Sequence, residues 1–238
     1  MRQFSLLVPS RGRPSHIEAL LCSLQKTTIR NERVEIAFCI DTDDRATQTK
    51  LDSIKVNSRY PRLDIKVLVR ERSSYLNKDY YNYLASRTTG DYIWAIGDDV
   101  RFLTPNWDEI VEQGIEEYLK DKPDRVAYIE TEDGTDAHHC CFPIITREAF
   151  NATGMFFHPE IMTWGADRTL AELYEGVNRI CKIEGVALDH ISYHDGKSPF
   201  DDTASSVRDR FFKDPNCHNK VTSAIIPKQI ELLKRQLK

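Results

Sequence analysis

The sequence lacks both a long apolar segment and an excess of positive charge. No stretch approaches the roughly 18 apolar residues that cross a bilayer, and the apolar run after Arg2 and Gln3 enters Pro9 before it can form a secretory signal. The formal net charge is −4, which disfavours a nucleic-acid partner but leaves room for a local basic face. The 6 cysteines include no CxxC pair, so we predict neither a zinc site nor a disulfide framework. We therefore expect a cytoplasmic protein with reduced thiols.

What the sequence does contain is an alternation of apolar runs and helical patterns. Predicted strands at 4–8, 34–44, 63–71, 91–99 and 125–131 alternate with predicted helices at 15–28, 45–58, 77–90 and 106–120. This alternation is typical of an α/β fold with a mostly parallel central sheet and helices on both faces. With 238 residues and no linker-like segment, we predict a single domain.

The second half is richer in loops, and one further strand is predicted near 180–189. The tail, IPKQIELLKRQLK, places Ile226, Ile230, Leu233 and Leu237 on one helical stripe. We expect this stripe to pack on its own domain, with association with a partner chain as the alternative. The oligomeric state is left open.

Polar and acidic residues follow the predicted strands where each one ends. Pro9-Ser10-Arg11, Asp41 to Asp44 and Asp98-Asp99 stand at such positions, as does the loop after residue 131. In an open parallel sheet these ends face one crevice, where ligands bind. Several carboxylates beside an anionic ligand indicate a bridging cation, and Mg²⁺ or Mn²⁺ suits oxygen ligands. The alternative is that these aspartates cap the following helices.

Four segments carry a family resemblance: FSLLVPSRGRP, FCIDTDD, NKDYYNYLASRTTGDYIWAIGDDV and WGADRTLAELY. Their content and order resemble the nucleotide-diphospho-sugar glycosyltransferases of the GT-A (Rossmann-like) fold, in particular the family-2-like group. The DYIWAIGDD segment resembles the strand that carries their DXD motif, with Gly97 in the first place of the motif. The resemblance implies that Asp99 binds the metal, and that Asp98 contacts the ribose or the metal.

The resemblance also implies a donor site and a division of the chain. Pro9, Ser10 and Arg11 match the loop that contacts the base and ribose. Asp41 matches the acid that reads the base, typically uracil. Asn77 and Lys78 lie where the family contacts the nucleotide or diphosphate, although Asn77 is equally suited to cap a helix. Residues 1–131 would form the nucleotide-sugar-binding half, 132–215 the acceptor and catalytic half, and 216–238 a helical tail.

Trp164-Gly165-Ala166-Asp167 resembles the segment that places the catalytic acid beside the acceptor. An inverting transferase needs a carboxylate to take the proton from the attacking hydroxyl, and this role falls to Asp167. Trp164 can stack on a sugar ring, and Gly165 allows close approach of the backbone. The alternative for Asp167 is a helix cap, because an apparent helix begins beside it.

Histidines late in the chain are candidates to complete the metal site, as in many GT-A enzymes. His190 directly ends a predicted strand, and His194 is the alternative. Lys197 is placed to contact a diphosphate oxygen. The neighbouring pairs His138-His139 and Cys140-Cys141 cannot converge on one ion in a strand, so we interpret them as a strand beside the acceptor pocket. Asp133 and Asp136, in the preceding loop, are predicted to bind the acceptor.

These observations predict a Mn²⁺- or Mg²⁺-dependent glycosyltransferase that moves a sugar from a UDP-type donor to a hydroxyl with inversion. A nucleotidyltransferase of similar fold is an alternative, although PSRGRP lacks the expected glycine-rich loop. An inactive scaffold is another, because the motif lacks its first acid. The acceptor is left open among a glycan, a lipid-linked sugar, a protein and a modified nucleic acid. Basic residues in the C-terminal third, including Arg210 and Lys213, form either a patch for an anionic acceptor or solvated surface.

Overall fold

A single curled sheet organises the fold in the computed structural model, which describes residues 3–133, 140–193, 196–213 and 217–237. Its strands, in chain order, are β1 (Phe4–Ser10), β2 (Val34–Asp41), β3 (Asp64–Arg70), β4 (Tyr92–Ala95), β5 (Val100–Phe102), β6 (Tyr128–Glu132), β7 (Ile144–Thr146) and β8 (Ile180–His190). Their order across the sheet is β3-β2-β1-β4-β7-β6-β8-β5. Strands β1 to β4, β6 and β8 share one direction, whereas β5 and β7 run against their neighbours. The predicted mostly parallel sheet is confirmed.

Helices cover both faces of this sheet, as predicted. They are α1 (Pro14–Thr27), α2 (Arg45–Val56), α3 (Tyr83–Ala85), α4 (Trp107–Leu119), α5 (Arg147–Thr153), α6 (Ala166–Glu175), α7 (Asp202–Lys213), α8 (Cys217–Ala224) and α9 (Ile226–Lys234). A 3₁₀ turn (Asn31–Arg33) precedes β2, and a π-helical turn (Asn77–Asn82) precedes α3. Among the described residues, no helix has the length and apolar character needed to cross a bilayer.

Alternating side chains of β1 explain the two layers of core. Leu6 and Val8 point into the layer under α1, α2 and α4, which holds Trp94 and Trp107 at its centre. Leu7 points to the opposite layer, under α3, α5, α6 and α9. Successive strand residues face opposite sides, so a strand buried on both faces is apolar throughout, as the sequence pattern indicated.

The C-terminal stripe packs on its own domain. Ile226 and Leu233 are buried, and Ile230 and Leu237 are partly buried against the same layer. Ile230 lies so close to Gly176 that a Cβ there would be 2.3 Å from its Cδ1. The apolar face of α9 is therefore covered by α5 and α6 of the same chain.

Two predicted helix ends differ from the structure. The first helix, predicted to begin at Ser15 with that residue as a possible cap, begins one residue earlier, because Pro14 takes the first helical position and Arg13 precedes it. The helix predicted to reach residue 90 ends at Ala85, after a π-helical turn. The segment between α3 and β4 instead donates hydrogen bonds from its backbone amides to a buried carboxylate.

That carboxylate is Glu35, whose side chain is fully buried in β2. It accepts hydrogen bonds from the Ser5 hydroxyl at 2.5 Å and from the amides of Thr89 at 2.6 Å and Gly90 at 2.8 Å, and it pairs with Lys66. Burial alone would raise the pKa of Glu35, but the contacts with Lys66, Ser5 and the two amides lower it below its usual value. The ionised carboxylate therefore ties three strands and the turn before β4 together.

We expect Glu35→Gln to lower the free energy of unfolding by about 2–3 kcal/mol at pH 7, because the amide cannot satisfy every donor around it. A depressed pKa adds stability above the unfolded-state value of 4.5 and loses it as pH falls through the folded pKa. The difference between wild type and variant, measured by urea unfolding, should therefore shrink at acidic pH. Glu175→Gln, an exposed control, should change stability by less than about 0.5 kcal/mol.

Candidate active site

A cleft of about 660 Å³ opens where the parallel strands β1, β2 and β4 end. Parallel pairing carries these carboxyl ends to one edge of the sheet, and α6, α7 and the end of β8 close the other sides. The predicted site residues that line this cleft are Pro9, Ser10, Arg11, Asp41, Asn77, Asp98, Asp99, Trp164, Asp167 and His190. The fold thus brings together segments that are far apart in the sequence.

The acidic pair lies in the turn that follows β4. Ser10 donates a hydrogen bond of 2.6 Å to the buried carboxylate of Asp98. The carboxylate of Asp99 folds back over Gly97, so that a Cβ at position 97 would lie 2.3 Å from Asp99 Oδ1. Any larger residue at this position would require Asp99 to move. The glycine in the first place of the motif therefore leaves room for the Asp99 carboxylate in the position that it takes here.

Arg13 is the positive charge that faces these acids. Its Nη1 lies 3.3 Å from Asp98 Oδ1 and 3.4 Å from Asp99 Oδ2, while its Nε and Nη2 bind Asp201 at 2.6 and 2.8 Å. The contacts with Asp98 and Asp99 are long, whereas the Arg13 guanidinium makes its two short hydrogen bonds to Asp201. Burial and the charge of Asp99 raise the pKa of Asp98. Burial would also raise the pKa of Asp99, but the contact with His190 and the charge of Arg13 lower it below its usual value.

His190 reaches Asp99 through a strand that the sequence did not predict. In the antiparallel pair of β5 and β8, Val100 stands opposite His190, and the Ile191 amide donates to the Asp99 carbonyl at 2.7 Å. The imidazole Nε2 consequently lies 3.7 Å from Asp99 Oδ2. An edge contact with the Phe142 ring, with centroids 4.9 Å apart, fixes its orientation further.

Asp41 lies at the end of β2 with its carboxylate buried. One oxygen accepts from Arg11 Nη1 at 2.7 Å and the other from the Tyr80 hydroxyl. Arg11 also binds Asp43 through both Nη atoms, at 2.5 and 2.9 Å. This arrangement holds a guanidinium and a phenol at the mouth of the cleft.

The π-helical turn is anchored by two amide side chains. Buried Asn77 donates to the carbonyls of Ile161 at 2.7 Å and Thr163 at 2.9 Å. Asn82 donates to the carbonyl of Phe157 at 2.8 Å and accepts from its amide. Both asparagines therefore hold the loop that leads into Trp164 and α6, and they connect the two halves of the cleft.

We expect Asn77→Ala to lower the free energy of unfolding by about 2–4 kcal/mol, because two buried carbonyls lose their donor. Denaturant unfolding measures this loss. The exposed Asn57→Ala, which removes a bond within a helix end, serves as the control and should change stability by less than about 1 kcal/mol. Unchanged stability with weakened nucleotide binding would instead indicate that Asn77 contacts the ligand.

The start of α6 presents the predicted catalytic segment. Gly165 precedes the helix with a φ of 87°, a left-handed conformation that favours glycine. Asp167 lies in the first turn, where its Oδ1 accepts from the Arg168 amide at 2.9 Å. Trp164 is 38% exposed at the cleft, and its ring lies 5.3 Å from that of Phe211 in α7. The start of α6 and the residue before its cap thus place a carboxylate and an indole in the lining of one cleft.

Other predicted residues lie elsewhere. Exposed Lys78 does not line the cleft, and Lys197 pairs with Asp189 at 2.6 Å outside it. Gly165 shapes the helix start but is not part of the lining. Asp133 is buried and accepts from the Cys141 amide at 2.5 Å. His194 and Asp136 lie outside the described residues, as do His138 and His139, and Cys140 and Cys141 do not form a strand.

Sequence reasoning missed several residues of the cleft. Arg13 stands in the quoted loop PSRGRP, so its place beside strand-end acids could have been inferred, but its partner Asp201 is 188 positions away. The Tyr81 hydroxyl donates to the Ile96 carbonyl at 3.2 Å. Burial raises the pKa of Tyr81, and the charges of Asp98, Asp99 and Asp167 raise it further. Tyr81 therefore lines the cleft within electrostatic reach of the acidic pair and of the predicted base.

No family model and no curated protein matches the chain. Solved structures do match it. S. aureus TarS 1–349 in complex with UDP-GlcNAc is 13% identical with a TM-score of 0.66, and the match covers 98% of this chain and 71% of that one. Mannosyltransferase PcManGT from Pyrobaculum calidifontis, in complex with GDP-Man and Mn²⁺, is 14% identical with a TM-score of 0.63, and the match covers 99% and 74%. These likenesses confirm the predicted GT-A-like glycosyltransferase fold.

Proposed function

We propose that this chain transfers a sugar from a nucleotide-diphosphate donor, of the UDP type, to an acceptor hydroxyl. The observation that carries the proposal is a single cleft that joins the acidic pair and His190 to Asp167, on a fold shared with nucleotide-sugar transferases. Its volume of about 660 Å³ lies within the usual range for ligand sites, roughly 300–1,000 Å³. The solved structures of this fold include complexes with UDP, UDP-GlcNAc and GDP-Man.

The donor's nucleoside belongs beside Pro9, Ser10 and Arg11, and its diphosphate beside the acidic pair. Asp41 and Arg11 offer an acceptor and a donor of hydrogen bonds at the strand end where the base is expected. Ser10 joins this region to Asp98. One nucleotide can therefore extend from β2 to β4 along the edge of the sheet.

The residues fit a divalent cation. Asp99 and His190 would hold Mn²⁺ or Mg²⁺ with Asp98 beside them, an oxygen and nitrogen set that suits these ions. Within the described residues no group of three such side chains is already drawn together, so phosphate oxygens of the donor would supply the remaining ligands. When bound, the cation neutralises charge that builds up on the departing nucleotide diphosphate. Arg13 adds positive charge beside the same carboxylates.

Asp167 acts as the base in this proposal. It would take the proton of the acceptor hydroxyl while that oxygen attacks the anomeric carbon, and a single displacement inverts the configuration. Trp164 would hold the acceptor by stacking. In this proposal, Asp167 removes the proton and the acidic pair with its cation stabilises the leaving group, and both line the same cleft.

Thermal unfolding with nucleotide diphosphates, with and without Mn²⁺, tests the donor site. Because a ligand of the folded state stabilises it, UDP with Mn²⁺ at a hundred times its Kd should add about 2.7 kcal/mol. The same concentration of UDP without Mn²⁺ should add less. Absence of a shift with every nucleotide would contradict the proposal and favour an inactive scaffold. Formation of a nucleotide sugar from a nucleoside triphosphate and a sugar phosphate would instead identify a nucleotidyltransferase.

A further inference from the structure

A second cavity, of about 500 Å³, adjoins the cleft between the loop after β3 and α7. Arg72, Arg210 and Lys213 line it together with serines from both segments, among them Ser73 and Ser206. Arg72, Ser73, Ser206 and Arg210 also line the main cleft, so the two spaces are continuous. Asp98, Asp99 and Asp167 do not line the second cavity.

The three cations of this cavity have no carboxylate partner among the described residues. Arg72 donates a hydrogen bond of 3.4 Å to the Ser206 hydroxyl, and no described acid lies within 4.0 Å of Arg72, Arg210 or Lys213. Of the two acids in the lining, Asp209 pairs with Arg208 at 3.2 Å and Asp202 is exposed. Burial and the charge of Arg72 lower the pKa of Arg210 by more than the charge of Asp41 raises it. An anion bound in the cavity would relieve the repulsion between Arg72 and Arg210.

Phosphate is the anion that fits this lining. Guanidinium groups donate parallel hydrogen bonds to phosphate oxygens, and serine hydroxyls donate further ones. The exposed positions of Arg72 and Lys213 leave the cavity open at its outer side, which admits a phosphate that is part of a longer molecule.

We infer that this cavity binds a phosphate group of the acceptor, next to the donor cleft. Helix α7 links the two regions, because its Phe211 packs on Trp164 while the adjacent Arg210 lines the cavity. An acceptor that stacks on Trp164 can therefore place a phosphate against Arg210 and Lys213. The anion site depends only on the lining of this cavity, whereas its assignment to an acceptor depends on the proposed function.

Calorimetric titration with inorganic phosphate and with bis(glyceryl) phosphate, a phosphodiester, tests this inference at low salt. Both probes should bind the wild type. Arg210→Gln with Lys213→Gln should weaken both by about tenfold or more, since charge-assisted contacts are lost. Lys228→Gln, an exposed cation of α9, is the matched control and should leave both affinities unchanged.

The single variant Lys213→Gln separates this site from the donor site, because Lys213 lines only the second cavity. It should weaken phosphate binding by about threefold and leave stabilisation by UDP with Mn²⁺ unchanged. Phosphate affinity that survives both variants, or binding of phosphate without the diester, would overturn the inference. A wild type that binds phosphate but does not bind UDP would contradict the proposed function without contradicting the anion site.

Discussion

Asp99→Ala is expected to reduce metal-dependent hydrolysis of a UDP-sugar by at least about a thousandfold, comparable to the loss of a principal electrostatic group. Asp99 is the member of the acidic pair whose pKa is lowered, since the contact with His190 and the charge of Arg13 outweigh its burial. It is therefore the carboxylate best able to hold a cation. Without it, charge on the departing diphosphate loses its counterion.

The assay needs no knowledge of the acceptor, because water can accept the sugar and UDP release is measured directly. Asp64→Ala is the matched control. This exposed aspartate begins β3, so it lies at the amino-terminal ends of the parallel strands, whereas the cleft lies at their carboxyl ends. It should keep full activity. In Asp99→Ala, the extra stabilisation that Mn²⁺ gives to the UDP complex should also vanish. Full activity in this variant would refute the metal assignment.

The parts of the fold that the sequence predicted are those with local signals. Long apolar runs identified β1, β2 and β4, and their shared direction followed from the alternation with helices. By contrast, β5 and β7 contain three residues each and carry no period that could distinguish them from a loop. Their pairing is decided by tertiary packing, which local pattern does not encode.

The same distinction applies to the candidate site. Asp98 and Asp99 were found because they end an apolar strand, and Asp167 because it stands in a recognisable segment. The place of His190 beside Asp99 depends on its pairing with Val100, and therefore on the strand that was missed. Likewise, Arg13 and Asp201 form an ion pair in the lining of the cleft although they lie far apart in the sequence, so no local sequence pattern could predict their contact.

Structural and ligand-binding roles were hardest to separate for buried amides. The resemblance predicted that Asn77 contacts the donor, but its side chain donates to two carbonyls of the loop before α6. A sequence shows only that an amide is present. Its hydrogen-bond partner depends on which segments of the chain folding brings together, and a buried amide nearly always has such a partner.

Asp167→Asn is expected to lower the rate of sugar transfer or donor hydrolysis by about a hundredfold to ten-thousandfold, the usual contribution of a general base. The amide has the same size, and its oxygen can still accept the hydrogen bond from the Arg168 amide, so α6 should form normally. Asparagine cannot take the proton of the attacking hydroxyl. Stabilisation by UDP with Mn²⁺ should persist, because the donor contacts lie on other walls of the cleft.

Single-turnover kinetics with a UDP-sugar measure the rate, and thermal unfolding with UDP measures donor binding in the same preparation. Glu175→Gln is the matched control, because it removes one exposed carboxylate from the other end of the same helix, away from the cleft. It should behave like the wild type in both measurements. Normal turnover in Asp167→Asn would place the base elsewhere, whereas loss of both turnover and donor binding would assign Asp167 to the donor site.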